Sequence, residues 1–189
     1  MKSSPKSYAL LIIDCINSFQ YKDGPLLQQR AKTIVSPILS LKEFAYEHKL
    51  PIIYVNDHYN LWKADLETIF EECKTPENKH FLEQLKPNDT DYFLIKPKHS
   101  AFYGTALHTL LHSKGIDTLI ITGLVGNVCV LFSANDAFMR DFNVIVPSDS
   151  TVSLTDSDQE FALKMVNGTL GGQTPNCKEL VISLSKGNT

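Results

Sequence analysis

The 189-residue chain has 43% hydrophobic and 21% charged residues, an ordinary balance for one globular domain with a sizeable core, so residues 1–189 are read as a single domain. A formal net charge of -3 with scattered lysines and arginines leaves no footprint for nucleic acid or an anionic membrane, and no run approaches the ~20 apolar residues of a membrane span. Cys15, Cys73, Cys129 and Cys177 lack C-x-x-C spacing, and the first apolar run is too short for a secretory signal, so free thiols in a reducing, cytoplasmic setting are expected.

Residues 8–13, Y-A-L-L-I-I, are apolar on both faces of an extended chain, which places them as a strand inside a sheet covered on both sides. Asp14 follows directly, at the carboxyl end where open α/β sheets hold their sites. Asp also caps turns, but a carboxylate ending so apolar a strand is costly to bury without a task. A loop at 17–25, with the turn Asp23-Gly24-Pro25, leads to residues 26–48. Ile34, Ile38, Leu41, Phe44 and Ala45 recur there at helical spacing, and Pro37 is expected to kink or split the helix. Residues 52–55 read as a second buried strand, ending in Asn56-Asp57-His58. One Asp and one His, pointing apart on an extended chain, are too few for a closed metal site. Trp62, the only tryptophan, is a pocket wall or a packing anchor. Residues 64–74 read as a helix with Leu66, Ile69 and Phe70 inward, broken at Pro76, and 81–85 as another helical turn.

Residues 92–95 are a third apolar strand, taken as central, with Lys96 at its end. Burial beside a carboxylate would keep that lysine charged and fit it for electrostatic work, whereas Lys98, beyond Pro97, reads as solvated. Residues 106–114 form a helix whose His108 and His112 are read as an exposed pair. Leu119 to Ile121 is a buried strand, followed by Gly123, Gly126 and a helical pattern over 128–139 with Cys129 in its first turn. First-turn N–H groups and the helix dipole favour a thiolate, which makes Cys129 a candidate nucleophile; the bland alternative is a small buried hydrophobe. A strand at 143–146, a helix at 156–166 announced by Thr155, Asp156 and Asp158, and a helix at 176–184 complete the chain. Strands alternating with helices predict a three-layer α/β/α fold with a central, mostly parallel, doubly wound sheet.

Asp14, Lys96 and Cys129 each follow a strand, so neighbouring strands would bring them to one cleft. A desolvated carboxylate can take a thiol proton, an ammonium can hold the charge, and N–H groups around Val125 to Cys129 can receive an oxyanion. That set describes acyl transfer to cysteine followed by hydrolysis.

These residues carry a resemblance. L-L-I-I-D-C-I-N-S-F around Asp14, L-I-K-P-K-H-S-A-F around Lys96, and G-L-V-G-N-V-C-V with A-N-D-A around Cys129 resemble the isochorismatase-like cysteine hydrolases. That superfamily includes nicotinamidases and N-carbamoylsarcosine amidohydrolases. The resemblance implies Asp14 as base, Lys96 as electrostatic partner and Cys129 as nucleophile. It further implies a cis peptide just before Val125, with the N–H groups of Val125 and Cys129 facing the oxyanion. Phe19, Asn56, Trp62 and Phe102 are the candidate substrate contacts. Ile16 stands where the family has a glutamine, and Tyr59 where nicotinamidases have the first metal-binding histidine. Nicotinamidase chemistry with bound zinc is therefore disfavoured, and Cys129 argues against isochorismate cleavage. The expectation is a hydrolase of a small amide or carbamoyl compound with no metal and no other cofactor, a small-molecule substrate as partner, and assembly as a homo-oligomer. The rival readings are a non-catalytic binding protein of the same fold and a thiol redox sensor pairing Cys15 with Cys129.

Overall fold

The structure, a computed structural model, describes residues 7–61 and 65–187. Five parallel strands form one sheet: β1 (Tyr8–Ile13), β2 (Ile52–Asp57), β3 (Tyr92–Lys96), β4 (Thr118–Gly123) and β5 (Asn143–Ile145), in the order β3-β2-β1-β4-β5. β1 is the centre, pairing Leu10 with Ile52 on one side and Tyr8 through Ile13 with Thr118 through Gly123 on the other. Its residues from Ala9 to Ile13 are all buried, as a strand covered on both faces requires.

Alternation along the strands divides the core into two layers. Leu10 and Ile12 pack with Leu27, Ile34, Ile38 and Leu41 from α1 (Gly24–Ala31), the 3₁₀ turn Lys32–Ile34 and α2 (Val35–Glu47), and with Leu180 and Leu184 from α8 (Cys177–Gly187). Ala9, Leu11 and Ile13 pack on the other face with Leu107 and Leu111 of α5 (Leu107–Ser113), Ala134 and Ala137 of α6 (Leu131–Phe138) and Val166 of α7 (Asp156–Gly168). Two short helices, α3 (Leu66–Cys73) and α4 (Lys79–Gln84), lie between β2 and β3 in the chain. Asp65 caps α3 by accepting from the Thr68 N–H at 2.8 Å. Thr155 caps α7 through the Asp158 N–H at 3.1 Å, the start its sequence signals.

The long helix expected over 26–48 is divided, but not by a kink at Pro37. The break is the 3₁₀ turn Lys32–Ile34, and α2 starts at Val35. Pro37 thereby falls in the first turn, where its missing N–H breaks no intrahelical bond. A second correction concerns β3, which is an edge strand rather than a central one. Tyr92 is exposed and the next three residues are only partly buried; Lys96 alone in this strand is fully buried. Gly123 ends β4 with φ of 106°, and a Cβ there would stand 2.1 Å from the Ile13 carbonyl oxygen. Glycine lets β4 close on β1 where both strands deliver their functional residues. Among the described residues, no helix is long and apolar enough to cross a membrane.

Candidate active site

Asp14 takes a left-handed conformation, φ 50°, one residue beyond β1, which turns its side chain back across the sheet end. Its N–H donates to the Val55 carbonyl at 3.1 Å, and its Oδ1 accepts from the Asp57 N–H at 3.0 Å. Lys96 pairs in register with Asp57, so its side chain crosses the end of β2 to reach Asp14. The Lys96 ammonium lies 2.8 Å from Asp14 Oδ2, 3.1 Å from the Lys98 carbonyl oxygen and 3.6 Å from Cys129 Sγ. A carboxylate, a carbonyl and a sulfur thus match the three donors of a lysine that is 1% exposed. Three residues far apart in sequence meet because parallel strands deliver their carboxyl ends to one edge.

Cys129 lies in a π turn, Gly126–Val130, that precedes α6. The Leu124–Val125 peptide bond ahead of it is cis, as the resemblance implies. The turn is held from several sides. The Gly126 N–H donates to the Val152 carbonyl at 2.9 Å, and the Asn127 N–H to Ser153 Oγ at 3.0 Å. A Cβ on Gly126 would meet Gln159 Oε1 at 2.3 Å and Ser153 Oγ at 2.7 Å, so a side chain there would displace both. On the other side Ser133 Oγ donates to the Cys129 carbonyl at 2.6 Å and accepts from the Ala101 N–H at 2.8 Å.

Burial raises the Asp14 carboxyl above its ordinary range, outweighing the Lys96 ammonium and the Cys129 hydrogen bond that pull it down. Desolvation works against the Lys96 charge, but Asp14 and the Cys129 sulfur more than offset it and the amine stays protonated. The Cys129 thiol is pushed up to about 12, by burial first and the Asp14 charge second, against Lys96 and an N–H from Val125 that hydrogen-bonds the sulfur. The thiolate expected from a helix start is therefore not the resting state. A buried sulfur beside a carboxylate keeps its proton, and that proton faces Asp14.

The remaining sequence candidates are placed differently. Asn56 is 1% exposed and its amide is turned to the Ile16 main chain, accepting from the N–H at 3.1 Å and donating to the carbonyl at 2.9 Å. It braces the segment after Asp14 instead of standing open to a substrate. Phe19 packs edge-on to Phe81 in one layer, while Phe102 lies 6.0 Å from Phe142 with the Arg140 guanidinium 5.0 Å over its ring in the other. Trp62 lies outside the described residues. Cys15 is buried in the α1–α2–α8 layer and Cys129 in the opposite one, which separates the proposed redox pair.

Three aromatic groups near the sulfur have no signal in the sequence pattern. His99 Nδ1 stands 3.9 Å from Cys129 Sγ, and its exposed ring lies 5.8 Å from that of the half-exposed Phe132. Burial raises the pKa of the Tyr21 phenol, against a hydrogen bond with Asn17 that lowers it and with the Asp14 charge adding to the rise. Only the position of His99 inside the lysine motif hints at its place. Grooves of about 560 Å³ between α2 and α4 and about 380 Å³ at the start of β4 and β5 contain none of these groups. Convergence of charge, thiol and main-chain donors, not cavity size, marks the site.

Asp57 and His58 are already engaged: Asp57 Oδ1 accepts from the Tyr59 N–H at 2.8 Å and His58 Nδ1 from the Asn60 N–H at 2.9 Å. Among the described residues, no group of three His, Cys, Asp or Glu side chains is arranged to hold a metal ion.

Comparison with known proteins accords with this geometry. The family model for the isochorismatase domain matches residues 8–175. The chain belongs to the isochorismatase family. It is similar to YaaI, an isochorismatase family protein of Bacillus subtilis, with 49% identity over 173 residues, covering 92% of this chain and 96% of that protein. Among solved structures it resembles an isochorismatase family protein from Desulfovibrio vulgaris, with a TM-score of 0.78, 26% identity and coverage of 95% and 99% of the two chains. It also resembles the N-carbamoylsarcosine amidase of Thermoplasma acidophilum, with a TM-score of 0.69, 26% identity and coverage of 90% and 96%. The chain is thus an isochorismatase-family hydrolase, related to carbamoylsarcosine amidases.

Proposed function

We propose that this hydrolase cleaves the carbonyl–nitrogen bond of a small amide or carbamoyl compound through a thioester on Cys129, with Asp14 as base and Lys96 as electrostatic partner. The observation that carries the reading is the 2.8 Å pair of Asp14 with Lys96, whose ammonium also lies 3.6 Å from the sulfur. Because the resting sulfur is a thiol, nucleophilicity has to be created during attack. Asp14, made more basic by burial, takes the proton as the carbon–sulfur bond forms. The developing oxyanion is received by the N–H groups of Val125 and Cys129; the first of these already points at the reacting atom. Collapse breaks the carbon–nitrogen bond, and Asp14 returns the proton to the leaving nitrogen. Water then hydrolyses the thioester. Lys96 keeps Asp14 ionised between these steps and neutralises charge that burial would otherwise penalise.

The donor set fits chemistry without a metal, since Tyr59, two residues after Asp57, turns its hydroxyl to the Ile16 carbonyl at 2.8 Å. Tyr21, His99 and Phe132 are the groups placed to meet the substrate at the mouth. The test is ammonia release from a panel of small carboxamides and carbamoyl compounds. Cys129→Ala is expected to lose about 10⁴-fold or more, with an acyl adduct on Cys129 in the wild type by mass spectrometry. Turnover that survives the substitution would overturn the reading.

A further inference from the structure

We infer that Gln159 is a positioning residue for the acylation step: through the Ser153 hydroxyl it sets the turn whose N–H groups receive the oxyanion. The inference rests on the acyl-enzyme reading above and names what aims the donors that reading uses.

The donors are the N–H groups of Val125 and Cys129, and Asn127 lies midway between them in the chain. The Asn127 N–H donates to Ser153 Oγ at 3.0 Å, and Ser153 Oγ donates to Gln159 Oε1 at 3.0 Å. Gln159 Nε2 donates in turn to the Thr151 carbonyl at 3.1 Å. Each link fixes the next. A carbonyl only accepts, so the Gln159 amide nitrogen faces Thr151 and its oxygen is left for Ser153. That oxygen takes the single hydroxyl proton of Ser153, which keeps a lone pair on the Asn127 N–H. Ser153 is 0% exposed, so bulk water is no substitute partner.

The brace is itself held. Gln159 follows the capped start of α7, where its own N–H donates to the Thr155 carbonyl at 3.1 Å. Arg30 Nε donates to the Ser153 carbonyl at 2.7 Å, and the Val152 carbonyl accepts from the Gly126 N–H at 2.9 Å. Glycine at 126 completes the fit. The place its Cβ would take is closed by Gln159 Oε1 at 2.3 Å, Ser153 Oγ at 2.7 Å and Thr151 Oγ1 at 3.2 Å, so all three oxygens come against the backbone of the turn. The nucleophile has a separate support, since Ser133 Oγ bonds the Cys129 carbonyl at 2.6 Å. Without the Gln159 oxygen the Ser153 proton has no fixed place, and its lone pair no longer stays on the Asn127 N–H. The donors then move off the point where the oxyanion forms, while the sulfur keeps its own anchor.

The experiment compares two reagents on one sulfur. p-Nitrophenyl acetate acylates Cys129 and puts negative charge on the carbonyl oxygen during attack. Iodoacetamide alkylates the same sulfur with loss of iodide, and no oxyanion forms. Gln159 is only partly buried, and Gln159→Met keeps its length while removing both hydrogen bonds. In that variant the nitrophenolate burst is expected to slow about 10²-fold, while alkylation of Cys129, read by peptide mass, changes by less than about 3-fold. Ser153→Ala is expected to show the same split, and the double variant to lose no more than either single one, because both act through one hydroxyl. Acylation at the wild-type rate in Gln159→Met, an equal fall of both reactions, or additive losses in the double variant would overturn the assignment. A wild-type protein that shows no burst, or a burst that persists in Cys129→Ala, would instead overturn the acyl-enzyme reading and the role of Gln159 with it.

Discussion

Among the described residues two lysines are buried, and they have opposite characters. Lys42 in α2 is 5% exposed; it donates to the Tyr54 hydroxyl at 2.7 Å and the Lys86 carbonyl at 3.1 Å, with Asp91 3.7 Å away. Desolvation dominates there, and its pKa is lowered despite Asp91. Lys96 is 1% exposed, meets Asp14 at 2.8 Å and has its pKa raised, because carboxylate and sulfur outweigh the burial that opposes them. Burial of an amine is therefore not the mark of a site. Lys42 closes a structural network between α2, β2 and the chain before β3. Lys96 holds a second ionised group against a reactive sulfur at the sheet edge.

Substituting each lysine with methionine is the strongest way to break that comparison. Lys96→Met is expected to lower amide turnover about 10²–10³-fold, the scale of losing one preorganised electrostatic group. Lys42→Met is expected to leave turnover nearly intact but to lower unfolding free energy by about 3 kcal/mol in urea denaturation, since it leaves Asp91 and Tyr54 with an unmade partner. Equal loss of activity in both would erase the distinction. A smaller effect sharpens it at Asn56, whose amide braces the Asp14 side alone. Asn56→Ala removes two hydrogen bonds to Ile16 and is expected to cost about 2 kcal/mol, again by denaturant titration. The remaining effect is in pH dependence and is read as a slope. A thiol whose folded pKa stands above its unfolded value adds stability that is complete below the ordinary 9.0 and is lost as pH rises toward about 12. Stability is expected to fall with rising pH across that window, by at most about 1.4 kcal/mol per pH unit for each such thiol. Cys129→Ala is expected to flatten the fall by one thiol's share, measured as unfolding free energy against pH.

Asp14 is legible in the sequence because it ends an apolar strand with a group that is expensive to bury, and Cys129 because it opens the helical pattern that follows a strand and a glycine turn. Lys96 is legible as the end of a strand, but the place of that strand in the sheet is not. Local apolarity at residues 92–95 does not distinguish an edge from a centre, since that depends on what pairs with the far side. Pro37 points to a split in the long helix, yet the split occurs earlier, because a proline in a first turn costs no hydrogen bond. Asn56 reads as a pocket residue, although its amide faces the main chain of a segment 40 residues away in the sequence. His99 carries no burial or periodicity signal, so its approach to the sulfur follows only from the anchored loop.

The order of apolar runs, their glycine turns and the polar residue closing each one are enough to establish a doubly wound sheet with an acid, an amine and a thiol at its carboxyl edge. Those are local properties, set by backbone period and desolvation cost. The rank of the strands, the protonated state of the sulfur and the imidazole on its open side require the assembled fold. Each of those depends on a distance between residues remote in the chain, and electrostatic and hydrogen-bond energies change steeply over the few ångströms that such packing decides.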